Sequence, residues 1–182
     1  MTSSNWMESC GVNKLMIEDS YGCGTACLAM ATGQPYAAAR EHFQRVGLGL
    51  RRKSRPPFST AGYEMQMAIA TSGLYTEMKK WAGWNNFNGL GCLKCVTGKS
   101  RGRTHWHWVL AFSHPVFGVV VFDPWNHTPA FQEPPMDTIF VPLESLSISR
   151  DWIQIEQTFP LRNCIALDRP IALALTSQLH SC

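Results

Sequence analysis

The stretch that decides the fold is Tyr21-Gly22-Cys23-Gly24-Thr25-Ala26-Cys27-Leu28-Ala29-Met30. A loop rich in Asp, Ser and Gly ends at Cys23, and the small apolar residues after it predict a helix from Gly24 to about Thr32. A thiol at a helix start lies where unpaired backbone N–H groups and the positive end of the helix dipole favour its anion. The position therefore predicts a lowered pKa for Cys23 and a nucleophilic role. Cys27, one turn later on the apolar side, is interpreted as a packing residue.

Two histidines follow roughly eighty residues later, in His105-Trp106-His107-Trp108-Val109-Leu110. Residues two apart in a strand project to the same face, so His105 and His107 point together, with the two tryptophans on the other face. His107 runs directly into an apolar strand, which favours it as the base that deprotonates Cys23. His105 adjoins a basic loop and is interpreted as frayed or substrate-side. The alternative is a histidine packed beside an aromatic layer.

An acidic residue, Asp123, follows the apolar strand Val119 to Phe122 and precedes Pro124. An acid at this strand end, after a hairpin that begins near His107, is expected to reach the back of the imidazole. There it would fix the tautomer and stabilise the imidazolium. The alternative is an ordinary Asp-Pro turn initiator.

Composition indicates a single folded domain. The chain has 182 residues, a formal net charge of +3 and 45% hydrophobic residues, which predicts one domain over 1–182 with 1–10 and 171–182 at its periphery. The dense basic cluster from Arg51 to Arg55 is typical of a solvated loop, so no nucleic-acid partner is expected. The start of the chain lacks a signal-peptide pattern, and no window is apolar enough for a membrane helix. We therefore expect no membrane association, a cytoplasmic location and mostly free thiols.

The predicted elements are helices first and strands afterwards. The Cys23 helix is predicted to end at Gly33-Gln34-Pro35. A second helix is predicted from Tyr36 to Phe43, and a third from Ala61 to about Ser72 with Ser59 or Thr60 as its cap. The later apolar runs predict strands at 74–78, 91–97, 106–112, 117–122, 138–141, 152–155 and 163–167. The segment from His114 to Gly118 is predicted as the turn of an antiparallel hairpin, and a helical turn is predicted at 143–146. This order is typical of an α+β domain.

The pair Cys92-Leu93-Lys94-Cys95 is the other cysteine pattern. A four-thiolate zinc site needs a second such pair, and the sequence has none. On an apolar strand, ordinary packing is favoured, with metal or redox roles as alternatives. No metal site and no cofactor are predicted, and phosphate-loop, dinucleotide and metalloprotease motifs are absent.

Together the Cys23 run, His107-Trp108-Val109 and Phe122-Asp123-Pro124 resemble the papain-like cysteine peptidases of the bacteriocin-processing (double-glycine leader) type and their stand-alone relatives. The resemblance covers about residues 15–126. It implies a papain-like α+β fold, in which an N-terminal helical half carries the cysteine and a C-terminal antiparallel sheet carries the histidine and the aspartate. It also implies that Cys23 is the nucleophile, His107 the base and Asp123 the residue that orients it.

The chain departs from this family before the cysteine. The family usually has a glutamine about six residues earlier, whose amide donates to the oxyanion, and Ile17 occupies that distance here. Glu18, Asn13 or the backbone N–H of Cys23 are the candidate substitutes. Loss of one such donor typically costs ~10²–10³ in rate.

The expected function is that of a cysteine peptidase or thiol amidohydrolase that acts on a peptide or protein through an acyl-enzyme. Trp81, Trp84 and Trp108 are candidate substrate-binding residues, and the loops 81–88 and 51–55 are candidates to line or gate the cleft. One alternative is a catalytically degenerate papain-like module that binds or inhibits a partner protein. A weaker alternative is acyl transfer of the transglutaminase or deamidase kind.

Overall fold

The computed structural model describes residues 10–50 and 55–156. Its helices and strands are α1 Cys23–Thr32, α2 Tyr36–Arg45, α3 Gly62–Ala70, β1 Tyr75–Lys80, β2 Leu90–Ser100, β3 Arg103–His114, β4 Gly118–Phe122, β5 Ala130–Phe131, β6 Val141–Pro142 and β7 Ile148–Glu156. Short 3₁₀ turns occupy Trp84–Asn86 and Leu143–Ser145. The strand predicted at 163–167, the two peripheral ends except Cys10, and residues 51–54 of the basic loop lie outside the described residues.

Local sequence signals set the helix ends. Gly33 ends α1 in the left-handed conformation, with φ 66°, as predicted from the Gly-Gln-Pro sequence. The start of α3 differs from the prediction, because neither Ser59 nor Thr60 caps it. Ala61 is the N-cap residue, and the Glu64 carboxylate accepts its backbone N–H at 2.7 Å. Since Ala61 has no side-chain acceptor, Glu64 supplies the cap alone.

The strands form one sheet in the order β1-β7-β2-β3-β4-β5-β6. The predicted hairpin at 114–118 is confirmed, with His114 paired to Gly118 in the β3–β4 ladder. The strands that carry the histidine and lead to the aspartate pair antiparallel, as predicted, whereas β5 and β6 pair in parallel and make the sheet as a whole mixed. Both are two-residue strands joined by a long loop, and the sequence did not indicate β5 because two residues carry no periodicity.

The two faces of the sheet have different cores. Trp108, Leu110 and Phe112 of β3 face the cluster that contains the helices, whereas Val109 and Ala111 face a second cluster. Helix α1 packs directly against β3. The sheet therefore holds the start of α1 against the strand that carries the histidines.

Cys92 and Cys95 point to opposite faces of β2. Cys92 packs in the helix-side cluster and Cys95 in the other, as three-residue spacing on a strand requires. Both are free thiols, and no group of three metal-ligating side chains occurs within 10–50 and 55–156. This pair therefore shares neither a metal nor a disulfide. In the same ranges, none of the helices combines the length and apolarity needed to cross a bilayer.

Candidate active site

Cys23 is the first residue of α1, and the helix start is uncapped. The first backbone bond of the helix runs from the Ala26 N–H to the Gly22 carbonyl at 3.0 Å, and Gly22 offers no side-chain cap. The helix therefore leaves the N–H groups of Cys23 and Gly24 without intrahelical partners. A Cβ on Gly24 would lie 3.0 Å from Thr60 Oγ1 and 3.1 Å from Met65 Sδ, so a glycine lets the helix start lie this close to the Thr60 segment and α3.

The Cys23 thiol is buried and hydrogen-bonded to β3. Its Sγ accepts the backbone N–H of Trp108 at 3.4 Å, and the residue is 7% exposed. Burial raises the pKa of the Cys23 thiol, and backbone N–H groups of Trp108, Gly24 and Cys23 oppose that rise only in part. The prediction of a lowered pKa is therefore corrected: the helix start acts in the predicted direction, but desolvation is larger. Near neutral pH the resting thiol is protonated.

His107 lies against Asp123. Its Nε2 is 3.0 Å from Asp123 Oδ1, and the histidine side chain is 4% exposed. The pair is close without the angle of a hydrogen bond, and within the described ranges neither ring nitrogen has a hydrogen-bond partner. Because Asp123 occupies the Nε2 side, Nδ1 is the nitrogen left for a second contact.

The turn after β4 holds the carboxylate and covers the imidazole. Asp123 Oδ1 accepts the backbone N–H of Trp125 at 2.7 Å, which closes an Asx-type turn. The Trp125 ring stacks on the His107 ring with centroids 4.6 Å apart and planes 11° apart. One short segment therefore both positions the acid and shields the imidazole from water.

Lys14 ties the segment before α1 to this turn. Its ammonium donates to the carbonyl oxygen of Asp123 at 2.9 Å and also to that of Asn126, and the Ile17 N–H donates to the Pro124 carbonyl at 3.1 Å. Burial lowers the pKa of Lys14, and the Asp123 charge opposes that shift. These bonds link the approach to the nucleophile with the loop that carries the acid.

A cleft of about 260 Å³ opens beside the thiol. It is lined by Tyr21, Cys23, Ser59, Thr60, Thr97, Thr104, His105, Trp106, His107, Trp108 and Trp125. Trp106 and Trp108 meet edge to face with ring centroids 5.5 Å apart, and the Lys94 ammonium lies 4.7 Å from the Trp106 ring centre. The Trp108 indole N–H donates to the Thr60 carbonyl at 3.4 Å, and this bond holds the Trp108 ring in place beside the cleft.

Two of the predicted substrate-binding residues lie elsewhere. Trp81 and Trp84 pack against each other with ring centroids 4.7 Å apart, beside the second core cluster. The Trp81 N–H donates to the Arg150 carbonyl at 2.7 Å, which continues the β1–β7 edge, so this loop follows that edge of the sheet. Trp81 lines a separate pocket of about 210 Å³, and neither tryptophan lines the cleft beside Cys23.

The predicted oxyanion side chains are also not brought to the cleft. Asn13 and Glu18 are exposed, and neither lines it. His105 does line it, with its Nε2 against the Ser100 hydroxyl. Sequence reasoning missed Tyr21 and Trp125 as cleft residues, although Tyr21 stands two positions before Cys23 and Trp125 directly follows the Asp-Pro pair.

Fold and site geometry define a class. A helical half that presents a thiol at a helix start, packed on a sheet that carries an imidazole and a carboxylate, is the papain-like α+β arrangement. The predicted fold class is confirmed by a solved structure, a double-glycine motif protease from an AMS/PCAT transporter in complex with the leader peptide. The two share 15% sequence identity with a TM-score of 0.51, over 81% of this chain and 92% of that chain.

A second solved structure, the peptidase domain of Streptococcus ComA, a bifunctional ABC transporter involved in a quorum-sensing pathway, aligns at 16% identity. The TM-score is 0.47, over 78% of this chain and 96% of that one. No protein-family model matches the sequence. A search of curated proteins finds no match either. The likeness to the double-glycine motif protease is therefore one of fold.

Proposed function

We propose that this chain is a cysteine peptidase, or a closely related thiol amidohydrolase, with Cys23 as nucleophile, His107 as general base and acid, and Asp123 as the group that orients His107. The observation that carries the proposal is the cleft, which contains Cys23 and His107 together while Asp123 lies 3.0 Å behind the imidazole. Nucleophile, base and orienting acid are the three parts that covalent acyl transfer requires.

The raised pKa of Cys23 determines how the chemistry would begin. Because burial favours the neutral thiol, His107 takes the proton as Sγ attacks the substrate carbonyl, rather than pairing beforehand with a thiolate. The tetrahedral intermediate then collapses, the C–N bond breaks, and His107 returns the proton to the leaving amine. Water, deprotonated by the same imidazole, hydrolyses the thioester and releases the acid and the free thiol.

A peptide is the substrate class that we propose. The lining combines the apolar rings of Trp106 and Trp108 with the hydroxyl-bearing residues Ser59 and Thr60, a mixture suited to a peptide backbone. The described cysteines are all free thiols, so the proposed activity belongs to a reducing compartment such as the cytoplasm. The leader peptide bound by the similar protease supports a peptide as the first probe.

The test is product analysis by mass spectrometry on a synthetic peptide mixture that includes peptides with an internal Gly-Gly. Wild type is expected to yield two fragments whose masses sum to the substrate plus one water, and Cys23→Ala is expected to yield none. Cys27→Ala, one turn along the same helix, is the matched control and should retain cleavage. Equal products from wild type and Cys23→Ala would refute the proposal, and a product lacking the added water would indicate acyl transfer.

The second candidate is a binding module on the same fold. It is favoured by one observation, the net rise in the pKa of Cys23 through burial, which leaves little thiolate at rest. In that case the peptides would bind in the cleft without cleavage. Isothermal titration with the wild type, followed by mass analysis of the recovered peptide, separates the two functions.

A further inference from the structure

Acyl transfer at Cys23 needs hydrogen-bond donors for the oxyanion that develops on the substrate carbonyl. The backbone N–H of Cys23 is one donor, because the uncapped start of α1 leaves it free of helical bonding. A second donor has to converge on the same point from a side chain near the helix start. The identity of that donor is an inference that rests on the proposed function.

We propose that the hydroxyl of Tyr21 is the side-chain donor to the oxyanion. Tyr21 stands two residues before Cys23 and lines the same cleft. Tyr21 is 52% exposed, and among the described residues none is hydrogen-bonded to its hydroxyl. A neutral phenol donates an O–H, which an ionised carboxylate such as that of Glu18 cannot do.

The backbone at Tyr21 adopts an uncommon conformation. Its φ is 64°, in the left-handed region that a bulky residue rarely adopts. The Gly22 N–H closes the turn onto the Asp19 carbonyl at 2.9 Å. A conformation of this kind persists only where the surroundings determine it, and such conformations cluster at functional sites.

Helix α2 supplies those surroundings. The Tyr36 hydroxyl donates to the Gly22 carbonyl at 3.4 Å and accepts the Asp19 N–H at 3.3 Å. Arg40 Nε lies 3.2 Å from Asp19 Oδ2, close enough for an ion pair although the angle is poor for a hydrogen bond. A Cβ on Gly22 would collide with the Tyr36 hydroxyl, so the turn is closely packed. The start of the Tyr21 side chain is thereby held before any substrate arrives.

Several other donors around the cleft already have partners. The Thr60 hydroxyl donates to the Phe58 carbonyl at 3.2 Å, and the Trp108 indole donates to the Thr60 carbonyl. His105 Nε2 contacts the Ser100 hydroxyl, and Thr104 belongs to the last rungs of the β2–β3 ladder, where its backbone is opposite Lys99. Tyr21 alone among the cleft side chains precedes Cys23 in the same turn, so it is the donor that we select.

The test compares Tyr21→Phe with wild type in three measurements. Hydrolysis of a cleaved peptide is expected to lose ~10²–10³ in kcat, with KM within about twofold. The inhibition constant of a peptide aldehyde, which forms a tetrahedral hemithioacetal with Cys23, is expected to rise by a comparable factor. Alkylation of Cys23 by chloroacetamide forms no oxyanion and should proceed at the wild-type rate. Tyr75→Phe, another half-exposed tyrosine on β1, is the matched control and should match wild type throughout.

Each contrary result has a distinct meaning. Wild-type kcat and aldehyde inhibition in Tyr21→Phe would overturn the Tyr21 assignment and leave the proposed function standing. A rise in KM alone would also overturn it, because it would make the ring a binding wall and not an oxyanion donor. A slower alkylation of Cys23 would show that the change disturbs the thiol itself, which contradicts the proposal. Failure of wild type to cleave any peptide or to form the aldehyde adduct would refute the proposed function, and this inference with it.

Discussion

Burial and hydrogen bonding act in opposite directions on the Cys23 thiol. Three backbone N–H groups favour its anion, as expected at a helix start, and removal from water outweighs them. The sequence predicted the position of the thiol correctly but not its net pKa shift. The backbone N–H of Trp108, whose position depends on the pairing of the sheet, meets the sulfur at 3.4 Å, and no local pattern around Cys23 predicts that contact.

The carboxylate of Asp123 has two tasks, and substitutions separate them. Asp123→Asn keeps an oxygen for the Trp125 N–H and removes only the charge beside His107, whereas Asp123→Ala removes both. We expect kcat/KM for peptide cleavage to fall by about 10²-fold or more in Asp123→Ala and clearly less in Asp123→Asn. Steady-state kinetics on one peptide measures this. Equal losses would mean that the turn does not matter, and no loss in either would remove Asp123 from the site.

At the scale of elements, the segment before α1 is attached to the turn after β4 by the Lys14 ammonium and by the backbone bond from Ile17 to Pro124. Lys14→Met keeps the apolar stem and leaves the carbonyls of Asp123 and Asn126 without this donor. Since hydrogen bonds to charged groups contribute about 1.5–3 kcal/mol, we expect the free energy of unfolding in urea to fall by ~1–2 kcal/mol and cleavage to slow.

Lys79→Met is the control for Lys14→Met. Lys79 pairs with Glu77 on β1 at the opposite edge of the sheet from the β4 turn, so its loss should change stability by less than ~0.5 kcal/mol. If Lys14→Met and Lys79→Met had the same free energy of unfolding and the same rate of cleavage, the Lys14 bonds between the two segments would not contribute to stability or activity.

Strand β2 is the other element with a sharp steric requirement. A Cβ on Gly91 would lie 2.6 Å from Trp152 Cε3 and 2.7 Å from the Ile153 carbonyl oxygen of β7. Neither a packed indole nor a backbone carbonyl moves aside at low cost. Gly91→Ala should therefore lower the free energy of unfolding by about 3 kcal/mol or more, which a clear fall in melting temperature would show. A Cβ on Gly62 would meet the flexible ends of Met78, at 3.1 Å, and Lys94, at 3.6 Å, so Gly62→Ala is expected to be neutral or stabilising in α3. Similar melting temperatures for the two variants would contradict this packing.

Helices and strands were predictable from the sequence where the hydrophobic periodicity agreed with the helix-ending and turn residues. Gly33 marked the end of α1, and His114 to Gly118 marked the hairpin. The parallel β5–β6 pair was not predictable, because strands of two residues carry no pattern and form through the neighbours they meet. For the same reason Trp81 and Trp84 were placed in the cleft by residue type, whereas the sheet edge they follow sends them away from it. Of the candidate site, residue types and order were predictable, but Tyr21, Lys14 and Trp125 depend on tertiary contacts.

On the scale of the whole molecule, the two cores contain thiols whose ionisation the fold opposes. Burial raises the pKa of Cys95 from an ordinary 9.0 to about 11, and burial together with the neighbouring Cys92 raises that of Cys27. A group whose pKa is raised on folding stabilises the folded state fully below its unfolded pKa. That stability is lost as the pH rises through the folded pKa.

The free energy of unfolding should therefore fall as the pH rises past about 9 toward 11, by up to ~1.4 kcal/mol per pH unit for each such thiol. In Cys95→Ala the free energy of unfolding is expected to fall less steeply over the same pH range. It should also start from a lower value, because removal of the buried sulfur leaves a cavity. Urea titrations at a series of pH values measure the slope. An identical slope in wild type and Cys95→Ala would show that this thiol ionises freely in the folded protein.

The most direct test of Cys23 and His107 as a working pair is the rate of Cys23 alkylation by chloroacetamide near neutral pH, mapped by peptide mass spectrometry. In wild type, Cys23 should react faster than Cys27, which is completely buried. His107→Gln should slow the alkylation of Cys23 by about 10²-fold. His105→Gln, on the same strand, should leave that rate near the wild-type value. A Cys23 that reacts no faster than Cys27, or at the same rate with and without His107, would contradict the assignment of nucleophile and base.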